Sequence, residues 1–145
     1  MQNPGNLRPA AAESLATWHD MIEKRDLGAL RSILHPDAMF HSPMAFHPYK
    51  SAEAVNLALT TVITVFENFK YHRQFASDDG LNVVLEFSAS VGDKLLKGAD
   101  FVRFDDNGKI VDFEVMIRPL ISLQMLGAEM GKRLGDRLPD FKVRL

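Results

Sequence analysis

Between residues 10 and 24 the apolar positions Leu15, Trp18, Met21 and Ile22 recur at three- and four-residue spacing, which predicts a helix with one buried face. Asp26 then predicts the cap of a second, short helix, with Leu27, Leu30, Ile33 and Leu34 on its apolar side and His35-Pro36 as its stop. Residues 37–43 read as a strand ended by proline, with Phe40 and Ser42 on one face and Met39 and His41 on the other; His47-Pro48-Tyr49-Lys50 reads as a loop. Ser51 predicts the N-cap of a third helix, whose stripe of Val55, Leu59, Val62, Ile63, Phe66 and Phe69 ends near Asn68.

The period then changes. Strands are expected at residues 70–76, 81–91, 95–104 and 110–117, joined at Asp78-Asp79-Gly80, Gly92-Asp93 and Asn107-Gly108. Connections this short allow only an antiparallel meander. With Asn107 and Gly108 in a type I′ turn, Asp106 faces Lys109, Asp100 stands opposite Val115, Val102 opposite Phe113, and Phe104 opposite Val111. That shared face is apolar except for Asp100. A buried, unpaired carboxylate costs several kcal/mol, so this acid is paired, protonated or part of a site. Leu120, Leu123, Leu126, Met130 and Leu134 outline a last helix. The expectation is an α+β domain over residues 10–138, with helices on one face of an antiparallel sheet, a loose arm at 1–9 and a tail at 139–145. On residues 81–91 the set Val83, Leu85, Phe87, Ala89 opposes Val84, Glu86, Ser88, Ser90, so neither face is strongly charged. A homodimer through the outer sheet face would cover it.

Composition narrows the chemistry. A chain of 145 residues is long enough to bury roughly two thirds of its unfolded surface without staples. The absence of cysteine removes disulfides, thiol catalysis and cysteine-ligated metals. A formal charge of −2 with interspersed signs offers no footprint for nucleic acid or an anionic membrane, and no apolar run is long enough to span a bilayer. Residues 1–9 lack the apolar core of a signal peptide, so a cytoplasmic location is expected. The five histidines show no two-histidine, one-carboxylate spacing, and neither a metal nor a cofactor is expected.

The paired opening helices from Trp18 to Leu34, the run Pro36-Asp37-Ala38-Met39-Phe40-His41-Ser42-Pro43, a third helix, and the hairpin from Gly98 to Pro119 together resemble the nuclear-transport-factor-2-like superfamily, also called SnoaL-like or ketosteroid-isomerase-like. The resemblance covers Ala10 to Pro119. It implies a cone: a strongly curved sheet wrapped around the helices, with an apolar pocket at the wide end. Its members include isomerases, epoxide hydrolases, cyclases, dehydratases and proteins without chemistry, so the site must decide. Ketosteroid isomerase pairs an aspartate base on its first strand with an oxyanion hole made by a tyrosine of the first helix and a protonated sheet aspartic acid. On this sequence the sheet acid matches Asp100, the base position falls on Ser42 and the tyrosine position on Trp18. Limonene-epoxide hydrolase uses an arginine and an aspartate two apart, with a further aspartate on the next strand; those positions fall on Gly98, Asp100 and Val115.

Asp100 is therefore the candidate catalytic residue, with Trp18 Nε1 as one donor that could satisfy it. Glu86 joins it only if Gly92-Asp93-Lys94 is a three-residue turn; a turn one residue different sends Glu86 to the outer face. His41 and His72 are the strand histidines, read as hydrogen-bonded or interface groups with a base as the alternative. The candidate ligand-binding set is Trp18, Phe40, Ser42, Glu86, Val102, Phe113, Val115 and Ile117, and the expected partner is a small apolar molecule. The alternatives are an isomerase, dehydratase or cyclase using Asp100, and an interaction module with no ligand.

Overall fold

A computed structural model describes residues 3–135 and Arg137; the expected tail at 139–145 lies outside the described residues. Helix α1 runs Pro9–Lys24. Pro9 suits a first turn whose N–H groups are unpaired in any case. The helix stops at Arg25, whose left-handed backbone (φ 52°) ends the ladder. The Arg25 guanidinium then donates to the carbonyls of Ile63 and Phe66, at 2.6 and 3.2 Å. Residues 3–8, expected as a loose arm, make specific contacts: Leu7 is buried, Asn3 Nδ2 donates to the Ala12 carbonyl, and Arg8 N donates to the Gly80 carbonyl.

The second helix is shorter than expected. Only a 3-10 turn forms, at Leu30–Ile33, and Asp26 caps a local turn by accepting from Gly28 N. Leu34, His35 and Pro36 open strand β1 (Leu34–His41) instead. A ladder with a later strand is available there, and the irregularity between Leu34 and Met39 accommodates a proline with no N–H to give. The dipeptide Tyr49–Lys50, expected as loop, forms β2 against Met39 and Phe40.

Ser51 caps α2 (Ala52–Val65), its hydroxyl accepting from Ala54 N. The helix ends at Val65, short of Asn68. Its last residues, Thr60 to Val65, are all β-branched, and Thr60, Thr61 and Thr64 bond back to carbonyls of the preceding turn. Phe69 therefore belongs to strand β3 (Glu67–Ala76) rather than to a helical stripe.

Strands β4 (Asn82–Val91), β5 (Lys94–Phe104) and β6 (Ile110–Arg118) complete the antiparallel meander, and α3 (Leu120–Leu134) follows. Sheet order is β2-β1-β6-β5-β4-β3, with β1 parallel to β6, so the sheet is mixed rather than wholly antiparallel.

The β5–β6 turn differs from type I′. Asp105 pairs with Lys109, and its Oδ1 accepts from both Asn107 N and Lys109 N. Only Gly108 takes a positive φ, 78°, as in a three-residue loop closed by a bulge. A second irregularity pairs Phe104 with Ile110 instead of Val111 and shifts the register back by one. Asp100 thus still faces Val115, and Val102 still faces Phe113.

The main core lies on the concave side of the sheet, where Leu15, Leu30, Val55, Val83, Leu85 and Phe113 meet. A smaller cluster of Phe66, Phe87, Leu96 and Leu126 continues it towards α3. Among the described residues no helix is long and apolar enough to cross a membrane.

Candidate functional site

Asp100 lies in β5 between Leu85 and Val115, its side chain on the concave face and only 5% of the residue exposed. Its partner is Tyr71 of β3, whose hydroxyl donates to Oδ2 at 2.6 Å. The indole Nε1 of Trp18 donates in turn to the Tyr71 oxygen at 3.0 Å. Trp18 thus holds the acid indirectly, through the phenol. Aromatic packing fixes both rings: Tyr71 stands edge-on to Phe69 (4.9 Å) and Trp18 edge-on to Phe113 (5.3 Å). Oδ1 of Asp100 meets no donor among the described residues, yet it is not sealed, so it faces the cavity beside it.

Burial pushes the Asp100 pKa up to about 7, against the opposing pull of the Tyr71 hydrogen bond. Burial and then the neighbouring acid hold Tyr71 well above its usual value. Near neutral pH the carboxyl exists in both forms, so it can donate or accept a proton.

The cavity has a volume of about 260 Å³ and lies between α2, α3 and the inner sheet. Trp18, Phe40, Ser42 and Asp100 reach its wall, as do Phe113, Val115 and Ile117. Tyr49, Tyr71 and Asp100 are the ionisable groups among its lining residues. A serine hydroxyl takes a carbon-bound proton only with a partner base, and the group bonded to the Ser42 hydroxyl is Met44 N, a donor that folds the loop after β1.

Two expected members of the set stand elsewhere. The β4–β5 turn has two residues, Gly92 and Asp93, so Val91 pairs with Lys94 and Asp100 faces Leu85 instead of Glu86. Strand alternation then puts Glu86 on the outer face. There Arg73 grips both its oxygens, at 2.9 and 2.5 Å, and Lys97 approaches to 3.6 Å. Those partners, Arg73 above all, hold Glu86 down at about 2, so it shares no proton with Asp100. Val102 packs into the core between Val83 and Phe113 and does not line the cavity. The two histidines expected on strands also lie off the site: His41 Nε2 is 2.6 Å from Asp112, and His72 Nε2 is 2.7 Å from Ser88.

Gly98 cannot carry a side chain without displacement. A Cβ there would lie 2.5 Å from both Phe87 Cζ and the Met116 carbonyl oxygen. With Val115 on the next strand, the charged relay of an epoxide hydrolase has neither its arginine nor its second acid here.

The sequence signal for Tyr71 is weak but present: a phenol two residues from Phe69, on the same face of an alternating strand, carries a polar tip into apolar surroundings.

A SnoaL-like domain model matches residues 15–113. The crystal structure of a steroid delta-isomerase from Pseudomonas aeruginosa is 59% identical over 92% of this chain and 97% of that one, with a TM-score of 0.88. A protein with a cystatin-like fold from Silicibacter pomeroyi is 26% identical over 94% of each chain, TM-score 0.81. An NTF2-like protein from Mesorhizobium loti shares the fold at 15% identity, TM-score 0.66, over 82% of this chain and 98% of that one. No curated protein matches the sequence. The match over residues 15–113, on a cone-like sheet with three helices, establishes that this chain belongs to the SnoaL-like family of the NTF2-like superfamily.

Proposed function

We propose that the protein binds a small, mainly apolar molecule in the cavity and that Asp100, backed by Tyr71, holds its polar group. The observation that carries this reading is a buried carboxyl with one uncommitted oxygen on an otherwise apolar wall. Apolar burial supplies the affinity, and the acid supplies orientation. Titration with steroid, terpenoid and polyketide-like compounds, followed by native mass spectrometry, tests it; a protein that binds none of them overturns it.

The second reading is isomerisation of a β,γ-unsaturated ketosteroid, favoured by the 59% identity to a steroid delta-isomerase. In that reaction a base breaks a C–H bond next to the carbonyl. The electron pair forms a dienolate, and the proton returns at the γ-carbon, so no co-reactant is needed. Ser42 stands at the base position of the resemblance and cannot hold the proton, so the transfer falls to Asp100, the carboxyl at the wall, whose titration near neutrality suits a group that takes and returns one proton. The conjugated product absorbs in the ultraviolet. Asp100→Asn should lower its rate of formation by at least ~100-fold; an unchanged rate excludes the role.

For the outer face we propose a second copy of the chain. Phe75, Phe101 and Met116 are 55%, 37% and 52% exposed. The outward residues of β6 run Asp112, Glu114, Met116, Arg118, acid at one end and base at the other. A two-fold axis crossing β6 at Met116 sets Arg118 of one protomer against the acidic end of the same strand in its partner.

A further inference from the structure

We infer that the gap between α3 and the loop after β1 receives the far end of the ligand, and that Gly131 and Met44 set how long a molecule the cavity accepts. This rests on the ligand-binding reading above.

Helix α3 turns Gly127, Gly131 and the following Gly135 towards the cavity at four-residue spacing, and all three line it. Glycine inside a helix is costly relative to alanine, so each needs a reason. At Gly131 that reason is not the close approach of another backbone, because a Cβ there would meet nothing within 4 Å. The missing side chain leaves cavity space instead. Gly127 is different: a Cβ would lie 2.6 Å from Met44 Cε and 3.1 Å from its Sδ, so the thioether already fills that notch. Met44 is 54% exposed and belongs to the loop that Ser42 folds. An unbranched thioether with three rotatable bonds can swing aside without moving backbone.

An independent mark of a ligand is the free Oδ1 of Asp100 on the same cavity. A molecule whose oxygen meets that carboxyl and whose body follows the apolar wall reaches α3 only if it is elongated, and a rigid one loses least conformational freedom on binding. The geometry points to multi-ring apolar ketones or alcohols, with a short two-ring compound filling only the inner part.

Isothermal titration calorimetry, which needs no optical window, reads the affinity of each compound. Wild type, Gly131→Leu and Met44→Ala are titrated with a four-ring ketosteroid and with 2-naphthol. The expected result is a fall of at least ~10-fold in the steroid-to-naphthol affinity ratio for Gly131→Leu. Met44→Ala, which empties the gap instead of filling it, moves the ratio the opposite way. Equal changes for both probes, or none in either variant, overturn the inference while leaving the ligand-binding reading intact. A wild type that binds neither probe overturns both.

Discussion

The Tyr71 hydroxyl stands between Trp18 and Asp100, accepting from the indole at 3.0 Å and donating to the carboxyl at 2.6 Å. An indole can only donate, whereas a phenol accepts and donates, so one tyrosine satisfies three buried polar groups in series. The arrangement commits Oδ2 to the protein and leaves Oδ1 to the cavity.

The acid itself should make stability depend on pH. Its folded-state pKa of about 7 lies above the unfolded value of 3.8, so the folded chain holds an extra proton between those limits. The contribution of this group to stability is greatest below pH ~4, falls as pH rises to about 7, and is flat beyond. About three units at ~1.4 kcal/mol each set a scale of ~4 kcal/mol. Asp100→Asn, which keeps an oxygen for Tyr71, should therefore gain on wild type as pH rises. Urea unfolding of both proteins at pH 4 and pH 8 measures it; an identical difference at the two values contradicts a buried titrating acid.

Tyr71→Phe removes the acceptor of Trp18 Nε1 and the donor to Asp100 together. One buried N–H left without a partner costs about 1–3 kcal/mol in denaturant unfolding. Because the lost hydrogen bond favours the charged form, the Asp100 titration should move upward from about 7. A midpoint that stays put or moves down would show that the phenol does not govern this carboxyl.

Gly98→Ala should destabilise by about 1–3 kcal/mol through overpacking. Phe87→Leu in the same chain should recover part of the loss only, since the Met116 carbonyl stands as close as the Phe87 ring. Thermal melts of the single and double variants check both statements.

For the proposed pairing of outer faces, Met116→Glu should shift the protein to monomer in size-exclusion chromatography, because it sets like charges against each other on the two-fold axis. A wild type that already runs as a monomer removes the proposal.

Periodicity along the chain determined most of what is local. The spacing of Leu15, Trp18 and Met21 marked α1, Ser51 marked the start of α2, and alternation marked the four meander strands and put Asp100 on the apolar face. These features depend on near neighbours in sequence, which propensity and period report directly. The tertiary structure decided what depends on register and competition. One residue in the Gly92-Asp93 turn sent Glu86 outward to Arg73, and a bulge near Phe104 cancelled the longer Asp106-Asn107-Gly108 loop, keeping Asp100 opposite Val115. Pairing with β6 puts Leu34, expected in a helix, and His35-Pro36, expected as its stop, into β1, a contact across more than seventy residues. The meeting of Trp18, Tyr71 and Asp100 belongs to the same class: three elements far apart in sequence converge on one hydroxyl, and only the packed sheet brings them there.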